Sequence, residues 1–64
     1  MFQPKTYADL MAAFRTGAPV TINHTDGYIS RIEREDGSGR CFNVFLTGRG
    51  AGSEGKTEFF RTAD

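Results

Sequence analysis

The chain predicts a small α+β domain, with an N-terminal amphipathic helix followed by a four-stranded antiparallel meander. The meander forms either a curled sheet or a small SH3-like barrel. Three observations carry this expectation. Apolar residues recur with the helical period before Gly17 and alternate with period two after Pro19. Turn-forming clusters then punctuate the alternating segments at short intervals. The stretches between those segments are also too short for the crossover helices that parallel strands need.

Taken in order, Met1 to Lys5 reads as an extended arm with Phe2 as its apolar anchor. Thr6 suits the cap of a helix over Tyr7 to Thr16, and Asp9, three residues on, completes a capping-box pattern. Tyr7, Leu10, Met11 and Phe14 form one apolar stripe, while Ala8, Ala12 and Ala13 add helix propensity without a second sticky face. Gly17 fits the left-handed position after the last turn, and Pro19 blocks continuation.

A first strand is expected over about residues 19–25, where Val20, Ile22 and His24 alternate with Thr21, Asn23 and Thr25. Asp26-Gly27 is a favoured two-residue hairpin turn, which places the second strand at 28–35. Ile29 and Ile32 are three apart, so a β-bulge near Ser30 or Arg31 is needed to bring both to the core side. Asp36-Gly37-Ser38-Gly39 reads as the next turn. A third strand over 40–47 then puts Phe42, Val44 and Leu46 on one face and Cys41, Asn43 and Phe45 on the other. A last strand at 56–62 points Phe59 and Phe60 to opposite sides.

Sixty-four residues make one domain of 1–64, and domains of this size bury only about 60% of their chain surface. The core must come from six Phe, two Tyr and a few aliphatics, which leaves little space for an enclosed substrate pocket. Net charge is zero, without the basic surplus typical of nucleic-acid-binding domains. One cysteine, Cys41, and one histidine, His24, are too few for a disulfide framework or a structural zinc site. The chain has neither a membrane-length apolar run nor the hydrophobic region of a signal peptide, so it reads as a cytoplasmic protein.

The sharpest motif is Gly50 to Thr57, which fits the phosphate-loop pattern G-x-x-x-x-G-K-[ST]. Such a loop needs a helix after its glycines to aim backbone amides at phosphate. Here Glu58-Phe59-Phe60-Arg61-Thr62 follows, which is aromatic and β-prone. The expectation is therefore a long, mobile glycine-rich hairpin loop. Nucleotide or phosphate binding through Arg49 and Lys56 is a remote alternative.

A Cys41–His24 nucleophilic pair lacks any third group placed to orient the histidine. Glu33, Glu35 and Asp36 alternate with Arg31 and Arg34, which is the pattern of a solvated hairpin surface rather than an acid–base pair. No catalytic, cofactor-binding or metal-binding residue is assigned, and the chain is expected not to be an enzyme.

An amphipathic helix followed by a bent meander is also the layout of Sm-like RNA-binding barrels. The likeness is one of layout alone: the chain has no clear fifth strand and none of that family's RNA-binding motif. The expected function is protein binding through an aromatic and arginine surface formed by Tyr28, Arg31, Arg34, Arg40, Phe45, Arg49, Lys56 and Arg61. Adaptors, assembly subunits and inhibitors of the kind bacteriophages carry fit this description, and a free strand edge also allows self-association. The alternative is RNA or DNA binding by the Arg31–Arg40 hairpin, with Tyr28, Phe45 and one of Phe59 or Phe60 as stacking platforms.

Overall fold

Helix α1 spans Tyr7–Thr16, the residues its periodicity predicts. The computed structural model describes every residue except Asp36, Ser38 and Asp64. The Thr6 hydroxyl accepts a hydrogen bond from the Asp9 amide at 3.1 Å, and the Asp9 carboxylate accepts from the amides of Thr6 and Lys5 at 3.3 and 3.1 Å. Those amides, Lys5 first, hold the Asp9 carboxyl below its ordinary pKa. Gly17 closes the helix in the left-handed conformation (φ 73°) and donates to the Ala13 carbonyl.

The buried side of the helix is narrower than the predicted stripe. Leu10 and Ala13 are buried, while Tyr7 and Phe14 remain 41% and 37% exposed. Tyr7 instead stacks on Phe42, with ring centroids 5.2 Å apart. Ala13, expected only to support helix propensity, is a core residue.

Strand β1 is Pro19–Ile22 and β2 is Thr25–Arg34, paired antiparallel with Ile22 opposite Thr25. The connecting turn is therefore Asn23-His24, and both residues have positive φ (51° and 68°), as a type I′ hairpin turn requires. This corrects the expected Asp26-Gly27 turn, the expected span of the first strand and the strand position given to His24. Asp26 and Gly27 are strand residues. The physical reason is packing at Gly27, where a Cβ would stand 3.1 Å from the Leu46 Cβ and 3.3 Å from the Ala51 Cβ. Its glycine serves close approach inside the fold, not chain reversal.

The register of β2 against β3 (Cys41–Gly48) shifts between Ile29 and Arg31, so the expected bulge falls at Ser30. It returns Ile29 and Ile32 to the core side, where both pack against the buried cluster. The Ser30 hydroxyl donates to the Phe45 carbonyl at 3.1 Å. Phe42, Val44 and Leu46 are buried as their alternation predicts. The turn expected at residues 36–39 includes Asp36 and Ser38, which lie outside the described residues. Beside it the Glu35 amide donates to the Cys41 carbonyl at 2.9 Å.

The long mobile loop expected over Gly48 to Thr57 is not formed. A single 3-10 turn, Arg49–Ala51, joins β3 to β4, which spans Gly52–Arg61 and so begins before the expected residue 56. Leu46 pairs with Lys56 and Gly48 with Gly52, so Ser53, Glu54 and Gly55 stand opposite Thr47 alone. Gly55 (φ 84°) absorbs this excess, because a Cβ there would lie 2.8 Å from the Leu46 carbonyl oxygen. Buried Ala51 turns inward toward Gly27, tying the glycine-rich segment to the core.

The sheet order is β1-β2-β3-β4, antiparallel throughout and not closed into a barrel. The curled sheet of the two predicted forms is therefore the one observed. Its concave side holds a single core of Leu10, Ala13, Val20, Ile22, Phe42, Val44, Leu46, Ala51 and Phe60. Side chains of the β1–β2 turn and the start of β2 bridge to β4 at one end of the gap, and the arm spans it at the other. Thr25 Oγ1 donates to Glu58 at 2.6 Å, and Asn23 Nδ2 donates to the Phe59 carbonyl at 2.6 Å. At the other end, the Thr21 amide donates to Phe2 and the Ala63 amide to Lys5, each at 2.8 Å.

Candidate interaction surface

One helix covers one face of the sheet, and α1 lies on the concave side with the core. The convex side is left to solvent, and its composition follows from the cross-strand register. Tyr28 on β2 lies opposite Thr47, and Arg31 opposite Phe45. Phe45 lies opposite Thr57, and Asn43 opposite Phe59. Tyr28, Phe45 and Phe59 therefore step diagonally across β2, β3 and β4, each one strand over and two residues along from the last. Tyr28 is 39% and Phe59 49% exposed, and Phe45 is half-buried. Three aromatics on three adjacent strands, the outer two exposed and the middle one half-buried, form a diagonal apolar row on this face, unlike isolated surface apolar residues.

Each ring has an arginine beside it. The Arg31 guanidinium lies 4.1 Å from the centre of the Phe45 ring, and Arg49 lies 5.6 Å from that of Tyr28. Arg61 follows Phe59 by two residues on β4 and so shares its side of the strand. The local charge is mixed, since Arg31 also meets Glu33 at 3.7 Å and Asn43 donates to Glu35.

The structure thus brings together five of the expected partner-binding residues: Tyr28, Arg31, Phe45, Arg49 and Arg61. It sets three apart. Arg34 and Lys56 fall opposite Phe42 and Leu46, on the register positions of the concave side. Arg40 precedes β3, and its carbonyl accepts from the Thr62 amide at 2.9 Å. The Arg31–Arg40 hairpin accordingly does not present its three arginines on one face. Phe59 completes the stripe; the sequence offered one of Phe59 or Phe60 as a stacking platform without choosing between them, and neither was among the eight expected partner-binding residues. Its adjacent partner Phe60 is 6% exposed, but which of the pair faces the core depends on pairing with Phe42, beyond the reach of local sequence.

The other motifs resolve in the same way. Lys56 and Thr57 lie within β4 rather than at the start of a helix, so the geometry of a phosphate loop is not formed. His24 sits in the exposed β1–β2 turn, and Cys41 opens β3 opposite Arg61. Among the described residues no three His, Cys, Asp or Glu side chains converge as a metal site would require. No helix among them is long and apolar enough to cross a membrane.

Compared with protein-family models, curated proteins and solved structures, the chain matches none.

Proposed function

We propose that this chain is a non-enzymatic protein-binding domain whose partner covers the convex face of β2–β4. The observation that carries this reading is the diagonal stripe of Tyr28, Phe45 and Phe59 with Arg49, Arg31 and Arg61 beside it. Exposed aromatics offer large rigid contact area at low entropic cost, and arginines held on their faces supply directional donors, the usual composition of interface anchors. Glu33 and Glu35 among the arginines favour a protein surface of mixed charge over a phosphate backbone, which needs net positive potential. An adaptor, an assembly subunit or an inhibitor could all use such a face.

The test is capture of partners from a nuclease-treated lysate by the wild-type chain and by Phe59→Ala and Arg31→Ala variants. A protein retained in stoichiometric amount is expected, with binding weakened by about 2 kcal/mol, roughly thirtyfold, in Phe59→Ala. Absence of any retained protein, with a monomer on sizing, would overturn the reading.

A second reading, RNA or DNA binding, is supported by the Arg31–Phe45 stack, an arrangement on which an unpaired base could also lie. It predicts retention that nuclease abolishes and that weakens steeply with salt.

A further inference from the structure

The convex stripe ends at the gap between β1 and β4, and the backbone there is arranged to receive a strand. The Phe59 carbonyl accepts from Asn23 on the side away from β3, so the amide and carbonyl of Phe59 point outward. Residues two and four further along share that direction, and the Ala63 amide accordingly donates to the Lys5 carbonyl of the arm. The β4 edge is thus pinned at Phe59 by the hairpin turn and at Ala63 by the arm. Between the pins, the amide and carbonyl of Arg61 face an open cleft. The cleft has a volume of about 440 Å³ and is walled on its other side by Thr21 and Ile22 of β1. The pins are four residues apart, about 13 Å of extended chain.

Charge selects the occupant. Lys5, His24 and Arg61 line the cleft, and among the described residues no carboxylate does. Glu58, the next acidic residue along β4, is held by Thr25 and Asn23. Phe59 and Arg61 belong both to the stripe and to this cleft, so the two surfaces are continuous.

We infer that the cleft binds an extended, acidic segment of the partner protein as an added strand on the β4 edge. The inference rests on the protein-binding reading above and names the part of the partner that enters the gap. Main-chain bonds to the amide and carbonyl of Arg61 would supply register, while Lys5 and Arg61 would select carboxylates on alternate residues. The donor and acceptor of Arg61, side by side, match one residue of a peptide, whereas phosphate would use only the donor.

The test is titration of the full chain, followed by amide NMR, with a capped Glu-Val-Glu tripeptide, whose length suits the span between the pins, and with its Lys-for-Glu counterpart. Saturable shifts centred on the Arg61 amide and its neighbours are expected for the acidic peptide, with about tenfold weaker binding in Lys5→Glu and in Arg61→Gln. Lys5 bonds Ala63 through its backbone carbonyl, so Lys5→Glu leaves that pin in place. The inference is overturned by absence of shifts at millimolar peptide or by equal binding of the basic peptide. Displacement of the acidic peptide by an oligouridylate overturns it as well, as does concentration-dependent self-association that occupies the same amides without peptide. If the peptide fails while capture of a protein partner still depends on Phe59 and Arg31, only this inference falls.

Discussion

At Gly55 the chain adopts φ 84° with the Leu46 carbonyl oxygen 2.8 Å from where a Cβ would stand. The neighbour is backbone and cannot rotate away, so an added methyl must break the three-against-one bulge or hold it under strain. Gly55→Ala is expected to lower unfolding free energy by about 1–3 kcal/mol in urea titration. Gly37→Ala has open space and no positive φ, and should stay within about 0.5 kcal/mol of wild type. Equal effects of the two substitutions would mean that the bulge is not built as described. The glycine that completes the phosphate-loop pattern thus has a structural explanation: it lets β4 gain residues on β3 without losing the pairing.

At the scale of single elements, α1 is the segment most fully specified by its own residues. Thr6, Asp9 and Gly17 satisfy its terminal backbone groups, so its boundaries do not depend on the sheet. Thr6→Ala should cost about 1 kcal/mol. Asp9 adds a pH dependence with a definite sign. Its folded-state pKa is lowered by the Lys5 and Thr6 amides, so its contribution is complete above the ordinary Asp value, about 3.9, and is lost as pH falls through the lowered folded value. The difference in thermal midpoint between wild type and Asp9→Ala should therefore shrink on acidification from neutral pH to about pH 2.5. A difference that stays constant would remove Asp9 from the cap. The strands are less self-sufficient. The Ser30 bulge could be read from the spacing of Ile29 and Ile32, whereas the start of β4 could not, because glycines and a serine carry no period.

At the scale of the molecule, the sheet curls without closing, and polar side chains hold its two edges near each other. Glu58 is central to this. It accepts from Thr25 Oγ1 at 2.6 Å and from Asn23 at 3.4 Å, and Thr25 is only 8% exposed. Glu58→Ala leaves that hydroxyl without its acceptor and should lower stability by about 1–3 kcal/mol. Hydrogen exchange should rise selectively at the amides of β1 and the Asn23-His24 turn, with α1 and the β2–β3 pairing little changed. Uniform loss of protection would argue that Glu58 supports the whole fold rather than the join between its edges. The convex stripe belongs to this scale as well, since its three rings come from three strands and meet only through register.

The sequence by itself determined the helix and its caps, the four-stranded meander, the bulge at Ser30 and the core face of β3. Each depends on periodicity or on contacts a few residues apart, which is information carried locally. Only the tertiary structure moved the turn from Asp26-Gly27 to Asn23-His24, because Gly27 is needed where β2 meets Leu46 and Ala51. It also made a strand of the glycine-rich stretch, because pairing to β3 supplied the order its own side chains could not. The candidate surface divides the same way. Five of its residues could be named from their chemistry, but their gathering beside Phe59 and the exclusion of Arg34, Arg40 and Lys56 followed from cross-strand register. Register is set by packing against the whole core, and a slip of one residue would have turned the stripe inward.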